Sequence, residues 1–324
     1  MLKYTIERNN DEAYNCYRIP GIIHTYQGSI IVYYECRKDS SDDWAAIDIG
    51  MRKSTDGGKT FTERKILAYG EGKTLNNPVM FSDNNQITLI YQEEYSHTFI
   101  TKSFDDGNTW SKAVEITCQL KTPLYDYTVI ACGPGHGTVL SNGRYIVPVW
   151  MALNFENKKA HRPSIISTIY SDDKGKTWHI GELIKDSILV NPSETVLAET
   201  KNGIFINIRN ENPCKRRATA LSKNGISNWI NLSIEDSLPD PTCAAGMISI
   251  GDDMYFSNCK SENSRENLVL SKSTDFGASW SEIKIIDSIG GYSDIATNGK
   301  NKIYVAYEHW EEGNQLLNFA SIDI

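Results

Sequence analysis

The sequence predicts an all-β propeller assembled from four-stranded blades. Three observations carry that expectation: a turn motif that recurs along the chain, short apolar runs placed between its copies, and the lack of any long stretch with helical periodicity.

The motif is Ser-x-Asp-x-Gly-x-Thr/Ser-aromatic. It occurs as Ser54-Thr-Asp-Gly-Gly-Lys-Thr-Phe61, Ser103-Phe-Asp-Asp-Gly-Asn-Thr-Trp110, Ser171-Asp-Asp-Lys-Gly-Lys-Thr-Trp178 and Ser273-Thr-Asp-Phe-Gly-Ala-Ser-Trp280. A fifth copy, Ser222-Lys-Asn-Gly-Ile-Ser-Asn-Trp229, keeps Ser and Trp but has Asn for Asp. Successive starts are 49, 68, 51 and 51 residues apart, a period that suits a four-stranded blade with loop insertions. Asp or Asn accepts hydrogen bonds from backbone N–H groups further along the turn, and Gly supplies positive φ. The terminal aromatic is expected to pack back on its own blade. These boxes are therefore folding turns, not an acid repeated for chemistry.

Between them, Ile30–Tyr34, Ile87–Tyr91, Tyr145–Val149, Ile204–Ile208, Met254–Phe256 and Lys302–Tyr307 read as strands bounded by Gly, Asn and Asp turns.

Composition narrows the function. The chain has 324 residues, 33 Lys+Arg against 41 Asp+Glu, and a net charge of -8. No basic cluster marks a nucleic-acid or anionic-membrane binder, so neither partner is expected. The longest apolar run, Tyr145–Leu153, is too short for a membrane span and contains Pro148. The N-terminal segment lacks a secretory signal, so a cytoplasmic protein, or a secreted one whose signal is not in this chain, is expected. Seven scattered cysteines show neither CxxC nor zinc-ligand spacing. Buried thiols are expected, with no metal and no cofactor.

Site residues in a propeller come from different blades at one mouth of the central channel. Charged side chains inside apolar strands are the candidates. Arg18 lies in Tyr17-Arg-Ile-Pro20, Arg209 ends Ile204–Ile208, and Arg265 precedes the strand leading to the last box. Each alone reads as a solvated strand end or a salt-bridge partner. Three on separate blades suggest a shared anion site, because the guanidinium fork grips a carboxylate bidentately.

A resemblance makes this specific. Tyr17-Arg-Ile-Pro20, Glu35-Cys-Arg37, Asp43-Trp-Ala-Ala-Ile-Asp48 before the first box, Gly133-Pro-Gly-His-Gly137 and Tyr145-Ile-Val-Pro148 follow one another as in sialidases. So do Ser193-Glu-Thr-Val-Leu-Ala-Glu199 with Asn207-Ile-Arg209, and Gly291-Tyr-Ser-Asp294 with Tyr307-Glu308. The chain resembles the catalytic domain of an exo-α-sialidase (neuraminidase), a superfamily with Asp-box (BNR) repeats.

The resemblance implies a six-bladed β-propeller and one catalytic domain over residues 1–324, acting as a monomer on a sialylated glycan or glycoconjugate. It implies that Arg18, Arg209 and Arg265 hold the sialic acid carboxylate while Glu308 orients Arg18. Tyr292 would be the nucleophile, Glu194 its general base and Asp43 the acid/base for the leaving group. Arg37 would touch substrate near Asp43, and Glu35 would line the same region. Asp43 must carry a proton to help the leaving group, which calls for a raised pKa. Asp42 is its neighbouring rival, and His136 reads as a turn or packing residue.

Departures from the family are Phe61, the degenerate fourth box, Ala45-Ala46, and Asn77-Pro78 where Asp-Pro is common. They leave open a related nonulosonic acid such as deaminated sialic acid. The same residues could serve a trans-sialidase or release an anhydro-sugar. A non-catalytic sialoglycan-binding propeller would need the arginines but not Asp43, Glu194 and Tyr292, and a protein-interaction propeller would need none of them.

Overall fold

The computed structural model describes residues 1–10 and 13–324. Six antiparallel sheets follow one another around a ring, each sheet one blade. Blade 1 is Cys16–His24, Ile30–Arg37, Ile47–Ser54 and Lys65–Ala68. Blade 2 is Leu75–Asp83, Gln86–Glu93, His97–Ser103 and Val114–Glu115, with Gly135–His136 lying parallel to its inner strand. Blade 3 comprises Val129–Cys132, Thr138–Val139, Tyr145–Ala152, Ser164–Ser171 and His179–Ile180.

Blade 4 holds Thr195–Thr200, Gly203–Ile208, Arg216–Ser222 and Ile230–Pro239. Blade 5 holds Gly246–Ile250, Asp253–Cys259, Glu266–Ser273 and Ser281–Ile289. Blade 6 joins the two ends of the chain: Ser293–Thr297, Lys302–Glu311 and Asn314–Asp323 are completed on the outside by Leu2–Arg8. Glu7 fastens that N-terminal strand to blade 1, accepting from the Tyr34 hydroxyl at 2.5 Å and Arg52 Nε at 2.8 Å.

The six apolar runs picked out from the sequence all fall in the second strand of a blade. That strand lies between the inner and third strands and between neighbouring blades, so both faces are covered; Ile30–Arg37 and Tyr145–Ala152 are buried at every position. Continuous apolar sequence is what two covered faces require. The core is correspondingly divided among six seams. Val32 and Tyr34 meet Leu317 and Phe319 between blades 1 and 6, for example, while Ile146 and Trp150 meet Ile206 and Ala218 between blades 3 and 4. Each Val, Leu, Ile or Phe among them contributes about 1.5–3 kcal/mol on burial.

The boxes sit between the third and fourth strands, at the mouth of the ring opposite the residues described below. In the first, Gly58 N–H donates to Ser54 Oγ at 2.9 Å, while Asp56 accepts from Thr60 N–H at 3.0 Å and Thr60 Oγ1 at 2.7 Å. The second, third and fifth boxes repeat the pattern, and Thr109 holds Asp105 down to about 2. In the fourth, Asn224 does the same work with Ile226 and Ser227.

The aromatic does more than pack on its own blade. Phe61 meets Phe319 of blade 6 edge-on at 5.0 Å, and Trp178 of blade 3 meets Phe81 of blade 2. The box glycine presses on that preceding blade as well: a Cβ on Gly58 would come within 2.4 Å of Phe319, and one on Gly277 within 2.5 Å of Phe205. The boxes are thus inter-blade joints.

Cys16, Cys36, Cys132, Cys243 and Cys259 are buried as expected, whereas Cys118, in the short 3-10 helix Thr117–Gln119, and Cys214, in a turn, are exposed. No helix among the described residues is long and apolar enough to cross a membrane.

Candidate active site

The inner strands begin, and the second strands end, at the same mouth of the channel. Charged residues at those positions are therefore brought together however far apart they lie in sequence. Arg18 opens the inner strand of blade 1 at a bulge, where the register slips between Arg18 and Gly21. Ile19, β-branched, adopts φ 56 there, an uncommon conformation for such a residue. Blade 2 repeats the device: Asn77 has φ 50 before Pro78, and the register slips between Asn76 and Val79.

Glu308, fully buried in the second strand of blade 6, holds the bulge. Its Oε1 accepts from Arg18 Nε at 3.1 Å and from Ile19 N–H at 3.2 Å. Its Oε2 accepts from Tyr292 N–H at 3.3 Å and lies 3.9 Å from Arg265 Nη1. Burial opposes the Arg18 charge, but Glu308 outweighs it and the guanidinium is raised above its usual range.

Tyr292 stands at the base of the pocket, just before the inner strand of blade 6. Its hydroxyl donates to Glu194 Oε1 at 2.6 Å and accepts from Arg209 Nη1 at 3.1 Å. Arg209 also pairs with Glu194 Oε2. The Arg18 and Arg265 guanidinium carbons lie 5.4 Å and 4.8 Å from the centre of the tyrosine ring. Burial pushes the phenol well above the usual tyrosine range, with Glu194 adding and Arg209 opposing. A neutral phenol beside a carboxylate and three guanidiniums can lose its proton only to that carboxylate.

Asp43 lies on the loop between the second and third strands of blade 1 and reaches over the pocket. Its Oδ1 is 2.9 Å from Arg37 Nη1 and 3.6 Å from Arg18 Nη1. Asp42, the rival, instead accepts from Trp44 N–H and stays in the turn. The raised pKa expected for Asp43 does not hold for this arrangement of side chains. Burial alone would raise it, but Arg37 and then Arg18 outweigh burial and keep the carboxyl below its usual range.

Arg37 and Glu35 stand behind Asp43, both fully buried, with Arg37 Nη2 2.7 Å from Glu35 Oε2. Neither lines the cavity. Asn77 gives its backbone N–H to Glu35 and its side chain to the Cys132 carbonyl. His136 lies deeper in the channel, against Asp294.

The cavity above Tyr292 measures about 230 Å³ and is lined by Arg18, Asp43, Glu194, Arg209, Arg265 and Tyr292. Its other wall was not legible in the sequence: Trp150, His161, Arg162, Asn191, Ser193 and Glu211, mostly from loops of blades 3 and 4. Arg162 and Glu211 pair there through Arg162 Nε at 2.8 Å. These loop positions share no repeated pattern, so only resemblance or coordinates could find them. Among the described residues no cluster of His, Cys, Asp and Glu could hold a metal ion.

The chain is 27% identical over 347 aligned positions to a sialidase of Bacteroides fragilis, covering 94% of this chain and 62% of that protein. The chain therefore spans less than two thirds of that relative's length. Hadza microbial sialidase Hz136 superposes with a TM-score of 0.87 at 24% identity, covering all of this chain and 68% of its own. A Trypanosoma rangeli sialidase in complex with 2,3-difluorosialic acid, a covalent intermediate, superposes at 0.76 with 18% identity, covering 98% of this chain and 58% of its own. The two superpositions speak for the fold. The profile of the BNR repeat-like domain family matches residues 28–305, and the chain belongs to that family.

Proposed function

We propose that residues 1–324 form one catalytic domain of a retaining exo-α-sialidase, which removes terminal α-linked sialic acid from a glycoconjugate through a covalent sialyl-tyrosine. The observation that carries this reading is the 2.6 Å hydrogen bond from the Tyr292 hydroxyl to Glu194 beneath three guanidiniums. A pocket that only bound the sugar would need the guanidiniums but not this pair.

Sialic acid carries a carboxylate on its anomeric carbon. Arg18, Arg209 and Arg265 grip that carboxylate, which sets the anomeric carbon over Tyr292. A carboxylate nucleophile would be repelled by the substrate's own charge, and a neutral phenol is not; tyrosine is the nucleophile known for sialidases among glycosidases. The phenol oxygen bonds to the anomeric carbon as its proton passes to Glu194. The glycosidic bond breaks, and its oxygen takes the proton of Asp43. Water then attacks the sialyl-tyrosine, giving its proton to Asp43, while the phenol oxygen leaves and recovers its proton from Glu194. Two inversions give retention.

Asp43 must hold a proton when the aglycon leaves. The substrate carboxylate favours this by partly neutralising Arg18, one of the cations that hold Asp43 ionised, so that the carboxyl takes up a proton from solvent.

The experiment is hydrolysis of a fluorogenic α-sialoside by wild type and Tyr292→Phe, with a fluorinated sialosyl inactivator as the trap. Wild type turns over, Tyr292→Phe does not, and mass spectrometry finds the trapped sugar on Tyr292. A wild type that binds both N-acetylneuraminic and deaminated sialosides without cleaving either would sink the reading, and a label elsewhere would reject the nucleophile.

A further inference from the structure

Below the pocket the channel is crossed by a second charged contact. His136, on the short strand Gly135–His136 beside blade 2, places Nδ1 2.7 Å from Asp294 Oδ1 of blade 6. Asp294 is fully buried, and its other oxygen accepts from Ile22 N–H of blade 1 at 2.9 Å. A neutral imidazole meets Asp294 with its single N–H, and an imidazolium meets the same carboxylate as a charge-assisted pair.

The sequence around this contact is fitted to it. Gly135 leaves room for the carboxylate, since a Cβ there would lie 3.1 Å from Asp294 Oδ1. A Cβ on Gly246 would strike the Asp294 backbone at 2.8 Å. Tyr33 OH braces the strand by donating to the Gly135 carbonyl at 2.9 Å.

The contact also has a short path to the chemistry. Asp294 is two residues from Tyr292 on the strand that delivers it. Ile22 lies four residues beyond Arg18, on the strand whose bulge aims that guanidinium. We propose that His136, tied to Asp294 across the channel, is a positioning residue that fixes Tyr292 and Arg18 in mutual register. The inference rests on the sialidase reading for its activity readout only.

Three titratable groups besides Asp294 lie near the ring: Tyr33 beside Gly135, and His24 and Glu199, which line the cavity of about 290 Å³ at the far mouth together with His136. His136 meets solvent from that far mouth, not from the catalytic pocket. Burial works against its charge, but Asp294 outweighs burial and raises it. The sign follows: the tie is fully present below the ordinary histidine value of about 6.5 and is lost as pH rises through the higher value of the folded protein.

The test pairs histidine-selective ¹⁵N NMR with kinetics on wild type, His136→Gln and Asp294→Asn. In folded wild type the His136 ring is charged at pH 6.5, and in Asp294→Asn it is neutral. His136→Gln folds, loses between about 10- and 100-fold in kcat through misplacement of the reacting groups, and loses the alkaline limb of the wild-type pH profile. A neutral His136 ring in wild type at pH 6.5 overturns the proposal, as does His136→Gln with unchanged kcat and pH profile. If His136→Gln does not fold, the wild-type and Asp294→Asn titrations decide. A wild type inactive on every α-sialoside defeats the sialidase reading alone, because the ring titration needs no turnover.

Discussion

Tyr292 and Glu194, 98 residues apart in sequence, share a hydrogen bond of 2.6 Å at the base of the pocket. Glu194 also pairs with Arg209, so the carboxylate is fixed on both oxygens. Glu194→Gln keeps the shape but cannot take the phenol proton. The expected loss in kcat is about 10²–10⁴-fold, the usual worth of a positioned base. Circular dichroism should be unchanged, and a kcat within tenfold of wild type would show that the proton goes elsewhere.

Arg18→Lys tests the clamp. Lysine keeps the charge but loses the planar fork, so one charge-assisted hydrogen bond worth about 1.5–3 kcal/mol is lost. KM for an α-sialoside should rise about 10- to 100-fold on that footing, with an unaltered melting temperature. Near-normal KM would mean that Arg18 does not hold the carboxylate.

Glu308→Ala strips three donors at once: Arg18, Ile19 N–H and Tyr292 N–H. Removing one partner of a buried pair costs about 3–5 kcal/mol. Both stability and KM should suffer, unlike in Arg18→Lys, and equilibrium unfolding beside kinetics separates the two.

Asp43 gives the pH dependence. Its folded pKa lies below the ordinary aspartate value, so its pairing with Arg37 and Arg18 is fully present above pH about 4 and is lost as pH falls through the lower folded value. The proposed mechanism needs the opposite, protonated form. The free protein's kcat/KM should therefore rise as pH falls across the acidic range while the fold persists. Asp43→Asn should harm alkyl sialosides far more than aryl ones with good leaving groups; equal losses on both would exclude a general acid at this position.

How much of this was legible in the sequence depended on whether a feature repeats. The second strands could be read because two covered faces force continuous apolar sequence. The boxes could be read because each blade needs the same joint. Leu2–Arg8 could not be assigned to blade 6, since its partner Asn314–Asp323 is at the other end of the chain. Arg18, Arg209 and Arg265 stood out as charges in apolar surroundings, but their meeting point came from resemblance. His161, Arg162 and Glu211 were missed because loop side chains obey no period. His136 reads from sequence as a turn or packing residue, and its contact with Asp294 is not legible there because that carboxylate arrives from another blade.

The boxes also predict a separation of roles. Gly277→Ala puts a methyl 2.5 Å from Phe205 at a position with φ +89. It should destabilise by about 1–3 kcal/mol in urea while leaving KM untouched, because the joint lies at the mouth opposite the pocket. A raised KM would mean that the blades transmit strain across the ring.

Arg18 and Glu308 lie on blades 1 and 6, on either side of the seam where the first and last blades meet. A carboxylate gripped by Arg18 from one side and by Arg265 and Arg209 from the other spans that seam like a rivet. Ligand occupancy and ring closure are therefore thermodynamically coupled: whatever binds the closed ring alone opposes its opening, by RT ln(1 + [L]/Kd). An anion held by all three guanidiniums, as proposed, would therefore stabilise the completed circle.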